Sequence, residues 1–74
     1  MPHVSIKHFP KDLSPEQTRA LSDEITAAIQ KAFASRDGAI SIAVEPVEKE
    51  RWQSDVYEPE IVGKSGRLIK RPDY

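Results

Sequence analysis

Two short stretches of alternating hydrophobic and polar residues flank a longer amphipathic one, and this order sets the expected fold. From Pro2 to Phe9, Val4 and Ile6 alternate with Ser5 and Lys7, the period-2 pattern of a half-buried strand. Pro10 ends that run, and a proline at the head of a strand is permitted because its missing donor falls at the end of the ladder. A helix start follows. Ser14 is the N-cap candidate, Pro15 suits the first helical position, and Gln17 completes an S-x-x-Q capping box. Leu21, Ile25, Ala28, Ile29, Ala32 and Phe33 recur at three- and four-residue spacing, opposite Arg19, Asp23, Glu24, Gln30 and Lys31. This is an amphipathic helix of roughly 20 residues whose apolar stripe is expected to be core. Ser35 to Gly38 should close it, with Gly38 free to take a left-handed conformation. Ile40, Ile42 and Val44 then alternate with Ser41, Ala43 and Glu45 up to Pro46, a second strand. Strand, helix, strand is a βαβ unit with parallel strands and a right-handed crossover.

Beyond Pro46 the pattern weakens. Residues 48–51 read as a solvated turn or a single helical turn. Trp52 is followed by Val56 and Tyr57, Glu58-Pro59 reads as a turn, and Gly63 and Gly66 limit any element across 61–69 to a short one. Residues 71–74 read as an irregular terminus. No internal repeat or low-complexity segment is present.

With 74 residues the chain makes one domain, 1–74, of α/β (α+β) class. A domain of this size buries only about 60% of its unfolded surface and is usually helped by disulfides, a metal or a partner. There is no cysteine, and His3 and His8 are the only histidines, without a ligand cluster around them. No metal and no cofactor are expected. A lone βαβ unit also leaves both sheet edges open. A homo-oligomer is therefore expected: first a homodimer whose two copies form a four-stranded sheet with the helices on one face, second a hexamer. Eleven basic and 12 acidic residues are interspersed, for a net charge of −1. This gives no single-signed field for nucleic acid or for an anionic membrane. No apolar run approaches the roughly 20 residues of a membrane span, and polar residues interrupt any secretory h-region near Met1, so a cytoplasmic protein is expected.

The chemistry-bearing feature is Pro2. Behind a small second residue the initiator methionine is normally trimmed, which would leave a secondary amine. An α-amino group titrates at roughly 7.7–8.0, and burial or a nearby cation lowers that value by disfavouring the ammonium form. Pro2 is thus a candidate general base at neutral pH, held on a strand rather than on a loose tail. His3 and His8 are five residues apart. That spacing puts them on opposite faces of a strand, where they cannot act together.

Met-Pro, the alternating first strand, the βαβ layout, Ile40-Ser41-Ile42-Ala43, Trp52-Gln53 and Leu68-Ile69-Lys70 together resemble the tautomerase superfamily of 4-oxalocrotonate tautomerase and macrophage migration inhibitory factor. The resemblance covers the whole chain and is closest to the PptA-type subgroup of small bacterial tautomerases. It implies that Pro2 is the catalytic base, moving a proton between the oxygen and carbon ends of an enol to give the ketone. It maps the family's pocket aromatic onto Trp52 and an apolar residue at the end of the first strand onto Phe9. The typical 4-oxalocrotonate tautomerase has an arginine before the helix and another in the second strand. Here those places read Lys11-Asp12-Leu13 and Ser41, which disfavours a dicarboxylate substrate. The PptA-type subgroup also lacks these arginines and takes enols such as phenylenolpyruvate, and Phe9 and Trp52 suit an aromatic 2-hydroxy-2-enoate. Ser41 is a candidate donor to the enolate, and Arg51 a candidate partner of the substrate carboxylate. Two alternatives stay open: a hydratase, dehalogenase or decarboxylase on the same fold, and a non-enzymatic dimeric interaction module.

Overall fold

In a computed structural model describing all 74 residues, the two alternating segments pair as strands β1 (His3–His8) and β2 (Ser41–Pro46). They are parallel, and the register runs from His3 opposite Ser41 to His8 opposite Pro46. These two strands are the whole sheet, so each keeps one unpaired edge. Helix α1 (Pro15–Phe33) connects them, making the βαβ unit expected from the pattern. Its start is the predicted capping box: Gln17 N–H donates to Ser14 Oγ at 3.1 Å, and Ser14 N–H donates to Gln17 Oε1 at 2.9 Å.

The helix ends differently from the expectation. Ala34, at φ 54°, takes the left-handed position, and its N–H donates to Gln30 C=O at 2.9 Å. No glycine has positive φ. Gly38 instead lies within a 3₁₀ turn, Asp37–Ala39, that leads into β2. Reaching the start of β2 needs the chain to reverse immediately after Phe33, four residues before Gly38, so the strained position falls on an alanine.

The segment after β2 is also more regular than the sequence pattern suggests. Helix α2 (Lys49–Trp52) passes directly into a π-helical stretch, Gln53–Val62, that carries Pro59 in its interior. Glu58-Pro59 is therefore not a turn. In an α-helix a proline ring collides with the carbonyl four residues back, whereas the wider π turn closes on the fifth residue and moves that carbonyl aside. Gly63 shows the bonding, donating to Glu58 C=O at 2.8 Å. A Cβ at this glycine would stand 2.7 Å from the Pro59 carbonyl oxygen. A 3₁₀ turn at Ser65–Arg67 precedes the irregular tail.

Only Val47 and Val56 are buried, at 7% and 5% exposure. Val47 follows β2 directly, its N–H donating to His8 C=O at 2.7 Å, and Val56 lies in the π-helical stretch. The apolar stripe of α1 is only partly covered. Leu21, Ile25 and Ile29 are half-buried, while Ala28, Ala32 and Phe33 are exposed. A cleft of about 190 Å³ is lined by Leu13 and Leu21 together with Ile6 and Val44 of the sheet. Lys7, on the opposite face of β1 from Ile6, reaches Glu60 of the π-helical stretch at 3.9 Å.

The chain exposes 6003 Å², about a third more than the ~4,600 Å² expected of a folded monomer of its mass. Its radius of gyration, 13.9 Å, exceeds the ~11 Å of a compact domain of this length. No helix is long and apolar enough to cross a membrane.

Candidate active site

Pro2 is half-buried immediately ahead of β1, while Met1 projects at 99% exposure. The Pro2 carbonyl accepts the Ser41 backbone N–H at 3.2 Å, extending the ladder one step beyond the strand. A residue held this way keeps a fixed orientation even at a chain terminus. Its nitrogen is an amide while Met1 is attached, and becomes a secondary amine only on its removal. Beside it, on the first rung, His3 Nδ1 and Ser41 Oγ share a hydrogen bond at 2.6 Å. The second histidine points elsewhere, with His8 Nδ1 lying 2.6 Å from Phe9 C=O. The two histidines are separated as their spacing requires.

An aromatic cluster occupies the other end of β1. Phe9 and Trp52 meet edge to face, with ring centroids 5.0 Å apart and planes at 83°. The Trp52 Nε1–H donates to the Tyr74 hydroxyl at 3.3 Å, and Tyr74 leans on Tyr57 with centroids 5.7 Å apart. Phe9, Trp52 and Tyr74 line an apolar cleft of about 480 Å³. Sequence reasoning found Phe9 and Trp52 but left Tyr74 in an irregular tail. Its one signal was an aromatic ring in an otherwise polar terminus, which is weak without the fold.

Within one chain Pro2 and this cluster do not meet. Seven residues at about 3.3 Å each place Phe9 roughly 23 Å from Pro2 along the strand. Ser41 lies with Pro2, whereas Phe9 and Trp52 lie together at the far end. Arg51 is one residue before Trp52 in chain order, but its Nε donates to Asp55 Oδ2 at 2.8 Å. That hydrogen bond, reinforced by charge, raises the Arg51 pKa further and holds the Asp55 carboxyl below its ordinary range. Arg51 is exposed and Asp55 partly so, which leaves the pair solvent-screened and exchangeable. A separate polar cleft of about 590 Å³, lined among others by His8, Lys11, Asp12 and Glu48, opens beside the turn before α1.

Comparison with known proteins places the chain in a family. The sequence model of the family described as "Tautomerase enzyme" matches residues 2–58. Among curated relatives, "Tautomerase PptA" of Enterobacter sp. (strain 638) is 45% identical over 74 residues, covering 100% of this chain and 97% of the relative. The proteins of the same name from Cronobacter sakazakii and from Escherichia coli O9:H4 are each 40% identical over the same coverage. The matched region spans β1, α1, β2 and most of the second helical segment, and so contains Pro2, Phe9, Ser41 and Trp52.

Proposed function

We infer the reaction from one premise: the chain belongs to the tautomerase family, and it is an isomerase of that type. We propose that Pro2, with Met1 removed, is the general base that ketonises a 2-hydroxy-2-enoate such as phenylenolpyruvate. The observation that carries this reading is the Pro2 carbonyl bound to Ser41 N–H at 3.2 Å, which orients the ring at the head of the sheet. The free amine takes the proton from the enol oxygen, and the resulting ammonium returns a proton to the alkene carbon. The negative charge that develops on the enol oxygen needs a donor. Ser41 stands in register with His3, the residue after Pro2, and its Oγ, held in place by His3, can be that donor. Arg51 can take the substrate carboxylate by exchanging it for Asp55.

The site is completed by a second copy of the chain. The unpaired edge of β1 is the one whose antiparallel pairing would set Pro2 of one copy beside Phe9 and Trp52 of the other, at an inter-strand spacing of about 4.8 Å. The excess surface of the single chain supports this. It is on the order of 1,400 Å², more than the ~800 Å² each partner buries in a standard interface. A homodimer of this kind has the four-stranded sheet expected from the sequence.

The test is ketonisation of phenylenolpyruvate by protein whose intact mass confirms that it starts at Pro2. A rate above the spontaneous one that disappears when Met1 is retained supports the reading. A rate equal to the spontaneous one on such protein overturns it.

A further inference from the structure

We propose that Tyr74 is a specificity-determining residue, the third wall of an aromatic subsite that takes the aryl ring of an arylenol acid. The proposal rests on the tautomerase reading for the enol but not on Pro2 being the base.

Three rings line the cleft, and they brace one another in series. Phe9 stands edge-on to Trp52, Trp52 is tied through its indole N–H to the Tyr74 hydroxyl, and Tyr74 rests against Tyr57 at an interplanar angle of 32°. The bond to Tyr74 occupies the single polar atom of Trp52. What Phe9 and Trp52 present to the cleft is therefore ring surface, which selects a flat apolar group over a hydrated one. Phe9 and Tyr74 are 48% and 63% exposed, so their faces are held in place yet left wet. The cleft, about 480 Å³, is in the range of small-molecule sites, roughly 300–1,000 Å³.

Charge sets the orientation. None of the three lining residues is cationic, so the cleft itself offers a carboxylate no partner. The cleft therefore receives the ring, and the acid end of the ligand points out of it. In an antiparallel pair of chains that direction leads to Pro2 of the second copy. Tyr74 acts in two ways: its ring is a wall, and its hydroxyl fixes the rotation of the indole. The C-terminal tail, which lies outside the residues 2–58 that the family model matches, thus decides between aryl and alkyl enols.

Trp52 is the only tryptophan, so its fluorescence reads the cleft directly. The probes are 3-phenylpropanoate and butanoate, two acids that cannot tautomerise. Saturable quenching by the aryl acid at concentrations at least tenfold below those of the alkyl acid is expected, and Tyr74→Ala should reduce that preference about tenfold. Tyr74→Phe should keep most of the preference, because the ring remains. In turnover, Tyr74→Ala should lower the ratio of kcat/KM for phenylenolpyruvate over an aliphatic 2-hydroxy-2-enoate, mainly through KM. Equal affinity for the two acids in the wild type, or an unchanged preference in Tyr74→Ala, overturns the proposal. Ring preference in a protein without tautomerase activity sinks the Pro2 reading and leaves the subsite standing. Activity without ring preference does the reverse. Tyr74 is no part of the buried core, so both variants should fold.

Discussion

His3 and Ser41 face each other on the first rung of the parallel sheet, with Nδ1 and Oγ 2.6 Å apart, and the backbone N–H of the same serine holds the Pro2 carbonyl. One residue thereby ties the imidazole and the candidate base to β2. Ser41→Ala separates the two ties, because it removes the hydroxyl and keeps the ladder bond. Ser41 is exposed, so the loss of stability should stay within about 1 kcal/mol. If the hydroxyl donates to the enolate, kcat/KM should fall by roughly tenfold or more, the cost of a hydrogen bond to a charged group. Denaturation midpoints and steady-state rates measured on one preparation check both halves. A rate unchanged by the substitution removes Ser41 from the site.

Stability should depend on protein concentration. A chain with two buried residues has too little core to stand alone, and association adds stability by mass action. The melting temperature should rise over a hundredfold concentration range, and sedimentation should show a species of at least two chains. Ile25→Ala and Ile29→Ala act on half-buried positions of α1. Each should cost about 1–3 kcal/mol, below the usual range for a fully buried site. A concentration-independent transition together with a folded monomer at micromolar concentration would rule out the oligomer.

Two backbone positions give opposite tests. Ala34 sits at φ 54°, where a side chain is disfavoured, so Ala34→Gly should stabilise by a few tenths to about 1 kcal/mol. Gly63 has φ −65° and no such strain, yet a Cβ there meets two carbonyl oxygens at 2.7 and 3.0 Å. Gly63→Ala should destabilise by about 1–3 kcal/mol, because backbone atoms cannot swing away as a side-chain tip does. Chemical denaturation of the two variants reads both signs.

The strands and the helix start within residues 2–46 were legible because each carried a local signal, alternation for Val4, Ile6, Ile42 and Val44 and a capping box at Ser14 and Gln17, whereas the helix stop at Ala34 carried none. The segment after Val47 was legible only in part: a single helical turn at 48–51 and short elements across 61–69 were readable, but Pro59 marks a helix breaker in every α or β reading. The π-helical stretch escapes that rule by widening its turn. A trace was present, since Trp52, Val56, Tyr57 and Ile61 are spaced by four and five residues, the period of a wider helix. Phe9 and Trp52 were recognisable as a pair through family resemblance, but their distance from Pro2 was not. It follows from the length of β1, and it is why the proposed dimer is needed to bring Pro2 of one copy to Phe9 and Trp52 of the other.

Pro2 carries the decisive test. Pro2→Ala leaves a primary amine of similar basicity at the same place on the ladder, without the ring that fixes the direction of its lone pair. It should fold normally and lose much of the rate. Retention of Met1 should cost far more, since an amide nitrogen has no lone pair free for a proton. In the processed wild type, kcat/KM should rise with pH along one limb as the ammonium deprotonates, at or below the unperturbed range of roughly 7.7–8.0. The base must be neutral to accept the proton, which sets the sign of that limb. A rate that falls with pH through this range would show that the active form is the ammonium, and Pro2 would then act as an acid. Equal activity with and without Met1 would assign the base to another residue. His3 would be the first to examine, because it borders Pro2 and already shares a hydrogen bond with Ser41.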